Sequence, residues 1–178
     1  MEFFCYHRDR PGSAKLRREL TEQHWSYMDQ FDAELIARGP TLSGELATGS
    51  VHIVDLPDAA AARAFAFEEP GYQAGMYRDV LLRRWRNRLG RDMWEFPSGG
   101  DGDRYLVLGL GSGQDEEAVP PDLDALIAFG PLLSDDGEVW LGTAALVRAS
   151  GPEAARSVLT AERYADIEVH EWTFGGRR

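Results

Sequence analysis

The chain has 178 residues, 43% of them hydrophobic, with five tryptophans and a net charge of −11. That is enough to bury a core, and the charge argues against a nucleic-acid partner. No apolar run reaches 18 residues and no signal-peptide pattern is present, so the sequence reads as cytoplasmic with no membrane partner, and the single cysteine, Cys5, excludes an internal disulfide or a cysteine-based metal site.

In chain order, the apolar and aromatic run Glu2 to His7 predicts a strand, stopped by the turn signal Asp9-Arg10-Pro11-Gly12. From Ala14 the positions Leu16, Leu20, His24, Tyr27, Met28, Phe31 and Leu35 fall three or four apart, which predicts one long amphipathic helix ended by Gly39-Pro40. A strand over Thr48 to Leu56 follows, with a hairpin partner around Leu42. Asp58 caps an alanine-rich helix over Ala59 to Phe67, Glu69-Pro70-Gly71-Tyr72 interrupts it, and Val80 to Trp85 is a closing strand. This β-α-β-β-α-β order is the ferredoxin-like split pattern, with helices on one sheet face and the other face bare.

The chain then repeats itself. Leu35-Ile36-Ala37-Arg38-Gly39-Pro40-Thr41-Leu42-Ser43 returns 91 positions later as Leu126-Ile127-Ala128-Phe129-Gly130-Pro131-Leu132-Leu133-Ser134. Ala62-Arg63 returns as Ala155-Arg156, and the block Asp79 to Trp85 as Asp166 to Trp172. Three blocks in one order argue for a duplicated domain. The expected fold class is therefore α+β: two ferredoxin-like units packed sheet to sheet as an intramolecular pseudo-dimer, with further association into a homo-oligomer left open. The units are placed at 1–92 and 104–178, joined by a linker at 93–103 whose stretch Ser98-Gly99-Gly100-Asp101-Gly102-Asp103 is flexible in composition. The second unit reads as strand over Tyr105 to Leu110, a shortened helix over Leu123 to Phe129, strand over Glu138 to Val147, helix over Pro152 to Ala161 and strand over Ile167 to Phe174.

Charge is divided unevenly: residues 1–92 hold 14 acids and 13 bases, residues 93–178 hold 16 and 6. The cluster Arg83, Arg84, Arg86, Arg88 and Arg91 reads as a strand end facing the acidic second half, with a phosphate patch as the alternative.

Among the titratable residues, His24 sits on the apolar stripe of its helix, where partial desolvation would poise its proton near neutral pH. A carboxylate on one ring nitrogen would fix the tautomer and leave the other nitrogen as a general base. The residues alone favour the plainer reading of a core histidine bonded to a backbone carbonyl, with Glu69 a solvated loop acid. His7 ends the first strand and is a candidate pocket residue, whereas His52 and His170 alternate with apolar neighbours and read as exposed strand positions. No histidine pair has a metal spacing, and no metal is expected. The Gly-rich run Gly109 to Gly113 lacks the rest of a phosphate-binding signature and reads as a loop.

Taken together, Asp9-Arg10-Pro11-Gly12, His24, Arg38-Gly39-Pro40, Gly49, Glu69-Pro70 with Tyr72, and Trp85 resemble the YCII-related family across nearly all of residues 1–92. The resemblance implies a ferredoxin-like fold that pairs into dimers. It also implies a pocket where a first-helix histidine meets an acid from an Asp-Pro-Tyr-like segment, and acid-base chemistry without a cofactor. One branch of the family removes chloride from a hydroxylated aromatic ring. Carried over, the dyad falls on His24 and Glu69 as catalytic residues, with Tyr27, Tyr72, Ser43 and His7 as substrate-binding candidates. Glutamate in place of aspartate, and Gly71 before Tyr72, depart from the family pattern. The second unit has no counterpart of His24, so one site per chain is expected. The functional expectation is a cofactor-free lyase, isomerase or hydrolase acting on a small cyclic or phenolic molecule. The alternative is a non-catalytic small-molecule binding or regulatory module.

Overall fold

The computed structural model describes residues 1–97, 102–113 and 122–177. In the first half, β1 (Glu2–Asp9), α1 (Ala14–Met28), β2 (Leu35–Ser43), β3 (Leu46–Asp55), α2 (Ala59–Phe67), the one-turn α3 (Pro70–Gln73) and β4 (Tyr77–Trp85) follow one another. The second half contributes β5 (Asp103–Gly113), β6 (Leu126–Leu133), β7 (Trp140–Ala149), the short α4 (Pro152–Arg156) and β8 (Asp166–Trp172). No helix among the described residues is long and apolar enough to cross a membrane.

The eight strands close into one antiparallel barrel in the order β1-β3-β2-β8-β5-β7-β6-β4. Each half keeps the same internal order, β4-β1-β3-β2 in the first and β8-β5-β7-β6 in the second. The sheet face that the helices leave bare becomes the barrel interior, where Phe4, Tyr6 and Ile53 pack with Leu106, Leu108 and Trp172. On the outer face of the first half, Phe3, Cys5 and Val54 lie beneath Met28 of α1 and Phe65 of α2. Strand alternation alone assigns these two sets, because successive side chains of β1 point to opposite faces.

The repeated nine-residue segment is a strand in both copies, which corrects the helix expected up to Leu35 and the one expected at Leu123 to Phe129. The first helix stops at Met28, and a single 3-10 turn over Asp29–Phe31 leads into β2. All eight residues of β6 are buried. A run with no polar side suits a strand enclosed on both faces, and an amphipathic helix would leave half of it in water. These strands make the two seams. Across one, Thr41 pairs with Trp172 and Leu42 with Glu171; across the other, Leu132 pairs with Trp85 and Leu133 with Arg84. Each residue pair of one seam is the repeat counterpart of a pair in the other.

Further differences are local. α4 ends at Arg156, and a separate 3-10 turn covers Ala161–Arg163, where one helix was expected. Gly109 to Gly113 continue β5 and do not form a loop. Of the expected linker, Met93–Glu95 is an ordered turn capped by Asp92, and Met93 and Phe96 reach into the barrel core. Residues 98–101 of it lie outside the described residues.

Candidate active site

The site lies between α1 and the outer face of the first-half sheet. Arg17, Thr21, His24 and Met28 follow one helical stripe, so α1 turns all four toward the strands. Beneath them β3 presents Ser50 and His52, two residues apart on one face, and β2 presents Arg38 and Pro40. These side chains bound a cavity of about 360 Å³, and Trp25 forms part of its wall. Phe174, Gly175 and Gly176, which follow β8 of the second half, close one side.

Glu69 is fully buried. It is the N-cap of α3, where its Oε2 accepts the backbone N–H of Tyr72 at 2.8 Å, while Oε1 accepts His24 Nδ1–H at 2.7 Å. The two departures from the family pattern fit each other. A Cβ at Gly71 would stand 2.5 Å from the Met76 methyl and 3.0 Å from Glu69 Oε2. Glycine therefore makes room for the longer acid to fold back.

Burial opposes ionisation of Glu69, but the hydrogen bond and charge of His24, with the N–H groups of Gly71 and Tyr72, outweigh it and hold the carboxyl at about 2. An ionised carboxylate only accepts, so the proton sits on Nδ1 of His24 and Nε2 is the basic nitrogen. This is the arrangement a general base requires.

Two more histidines lie under His24. The His52 ring is 5.5 Å from that of His24, and the His7 ring is 6.0 Å from that of His52. His52 is buried on the helix-covered face, not exposed; its proton affinity falls well below the usual range through burial first, then through the charges of His24 and His7. His7, expected to line the pocket, is fully buried beneath it. Its Nε2–H donates to Ala66 O at 2.8 Å, which leaves Nδ1 to accept from the Cys5 thiol at 3.6 Å. His170 is half-buried and bonds Glu168 at 2.9 Å.

The structure thus brings His24 and Glu69 together and places the other four candidates elsewhere. The Tyr27 hydroxyl donates to Ala64 O and Phe65 O and so ties α1 to α2. Tyr72 is 41% exposed and packs on Phe67; only its backbone serves the site. Ser43 ends β2 and borders a different hollow, beside Arg8, Arg78 and His170. Within the basic cluster, Arg84 and Arg91 donate to carbonyls of Asp136, Leu123 and Leu126 in the second half.

Sequence reading missed Arg17, Arg38, His52 and the Phe174–Gly176 segment. Arg17 could have been found from its seven-residue offset to His24, two turns along one helix face. His52 could have been found by asking which strand face the helices cover.

Residues 1–86 match the YCII-related domain. An uncharacterised protein of Haemophilus influenzae is 28% identical over 95 residues, which make up 48% of this chain and 97% of that protein. The structure of 5-chloro-2-hydroxyhydroquinone dehydrochlorinase from Burkholderia phenoliruptrix, in complex with 2,5-dihydroxybenzoquinone, is 26% identical, covers 52% of this chain and all of that one, and has a TM-score of 0.48. A candidate monooxygenase from Lactobacillus acidophilus is 8% identical but covers 97% of this chain and 93% of its own, with a TM-score of 0.51. The fold over both halves is that of the dimeric α+β barrel.

Proposed function

We propose that the protein, whose residues 1–86 match the YCII-related domain, is a cofactor-independent enzyme that moves protons on a small cyclic or phenolic molecule. The observation that carries this reading is the 2.7 Å bond from His24 Nδ1–H to a fully buried carboxylate at the edge of a cavity. Substrate enters between α1 and the strands, its ring against Trp25 and Phe174. Nε2 of His24 takes a proton from a ring hydroxyl or an acidic ring carbon, and Glu69 stabilises the imidazolium that forms. The same proton is returned to a leaving group or to a second atom of the substrate, which leaves His24 neutral again. Elimination and isomerisation fit this cycle; hydrolysis fits it when the proton that Nε2 takes is that of an attacking water and the leaving group receives it.

Supplying hydroxylated ring compounds to the wild type and to His24→Gln tests the proposal. We expect turnover by the wild type and a loss of about 10³-fold in the variant, within the range for removing a general base. Equal turnover by both proteins overturns it. Compounds that bind the wild type without conversion favour a binding module instead.

A further inference from the structure

The charge of the cavity runs against that of the protein. The chain carries −11, yet the cavity wall holds Arg17 and Arg38 and no carboxylate. The two arginines are not alike. Arg17 is matched, because its Nη1 is 3.0 Å from Asp9 Oδ1, and its Nη2 donates to Gly49 O and to Ser50 Oγ. Arg38 is almost wholly buried, and the acids nearest it, Asp29 and Asp32, stand 4.0 and 3.7 Å away, partly in solvent. Its Nη2 donates to the carbonyl of Arg177, and its Nε has no hydrogen-bond partner among the described residues. Both ion pairs are long and reach acids that stand partly in solvent, so the buried guanidinium is only partly compensated, and an anion that enters with the ligand can hydrogen-bond it directly.

Position gives this charge a role. Arg38 is the cross-strand partner of His52, and the ring of His52 lies 5.5 Å from that of His24, so the three follow one another across the cavity floor. Trp25 and Phe174 supply apolar surface to the cavity lining.

We propose that Arg38 seats an anionic oxygen of the ligand, a carboxylate or phenolate on a small ring, while the reacting end of that ring faces His24. The proposal rests on the reading of His24 as the base. A guanidinium fork holds a carboxylate through two parallel bonds, which orients the ring as well as binding it. Arg38 is then the residue that selects anions from neutral compounds of the same shape.

Binding of benzoate, of neutral benzamide and of 4-nitrophenolate, measured by calorimetry on the full chain, tests this. We expect the wild type to prefer benzoate or nitrophenolate over benzamide by about tenfold or more, the scale of a charge-assisted hydrogen bond. Whichever anion is preferred identifies the oxygen that Arg38 takes. Arg38→Met should abolish the preference and leave benzamide binding unchanged, and Arg38→Lys, which keeps the charge but not the fork, should retain part of it. Equal binding of all three probes by the wild type overturns the proposal, as does a preference that survives Arg38→Met or that is lost only in Arg17→Met. His24→Gln should keep the anion preference. Turnover by that variant with the preference intact would therefore remove the catalytic reading alone, whereas turnover that depends on His24 without an anion preference would remove this proposal alone.

Discussion

Glu69 and His24 are 45 positions apart, yet Glu69 divides its two carboxylate oxygens between His24 Nδ1 and the backbone of the turn that carries it. Folding the one-turn α3 therefore also builds the dyad. This carboxyl titrates near 2 when folded against an ordinary 4.5, so the folded state favours its ionised form. That stability is fully present above about pH 4.5 and is lost as pH falls toward 2, amounting to about 3 kcal/mol. Glu69→Gln should be less stable than the wild type at pH 7 by about that amount and should show little of the loss between pH 4.5 and 2. Denaturant unfolding at pH 7 and at pH 3 measures both.

Gly39 and Gly130 occupy matching places at the two seams. A Cβ on Gly39 would stand 1.9 Å from Thr173 O, and one on Gly130 would stand 1.9 Å from Arg86 O. Both obstacles are backbone atoms and cannot swing away. Alanine at either position should cost about 3 kcal/mol or more of unfolding free energy, because the seam must open to admit it. If either variant unfolds at the wild-type denaturant midpoint, the close seam contact is not present in solution.

Arg177 ties the segment after β8 to α1, with Glu22, Asp29 and Ser26 as its partners. The same segment closes the cavity, and its Gly175 N–H donates to Arg38 O at 3.1 Å. Exposed ion pairs of this kind contribute little, so Arg177→Ala should leave global stability almost unchanged. Hydrogen exchange at the Gly175 amide should nonetheless speed up by about twofold, the effect of losing about 0.4 kcal/mol locally. An unchanged exchange rate would mean that the segment is held by Phe174 and the seam instead.

Cys5 is fully buried beneath the dyad, and burial, aided by the charge of Glu69, pushes its thiol far above the usual range. A thiol in that state is a poor nucleophile. In the native protein it should resist a disulfide exchange reagent, and in guanidinium chloride it should react fully, with rates differing by about 10³-fold or more given the opening free energies of a folded core. Rapid labelling of the native protein would contradict this placement.

The alternation that places Phe4 and Tyr6 inside the barrel and Cys5 and His7 outside it was legible in the sequence, as were the Asp58 cap and α2. Local chemistry decides these features, because strand period and capping oxygens act over a few positions. The pairing of His24 with Glu69, 45 positions apart, was implied only by the family resemblance. The repeated segment itself was legible as a repeat and misread as a helix end. Its strand state is decided by partners far along the chain, Trp172 for one copy and Trp85 for the other, which supply the backbone pairing and the second buried face.

The composition of the cavity was decided in the same non-local way. Spacing on α1 could place Arg17, Thr21 and His24 together, but Arg38, His52 and Phe174 come from β2, β3 and the second half. Their convergence needs the barrel to close, and closure depends on two seams whose strand ladders hold two residue pairs each, extended by the bonds of Thr173 and Gly175 to β2 and of Arg88 to β6. The sequence by itself determined which residues could do acid-base chemistry and which of them share one face of an element. Only the tertiary structure decided which of those faces meet, because the burial that joins them is shared between segments that no local pattern connects.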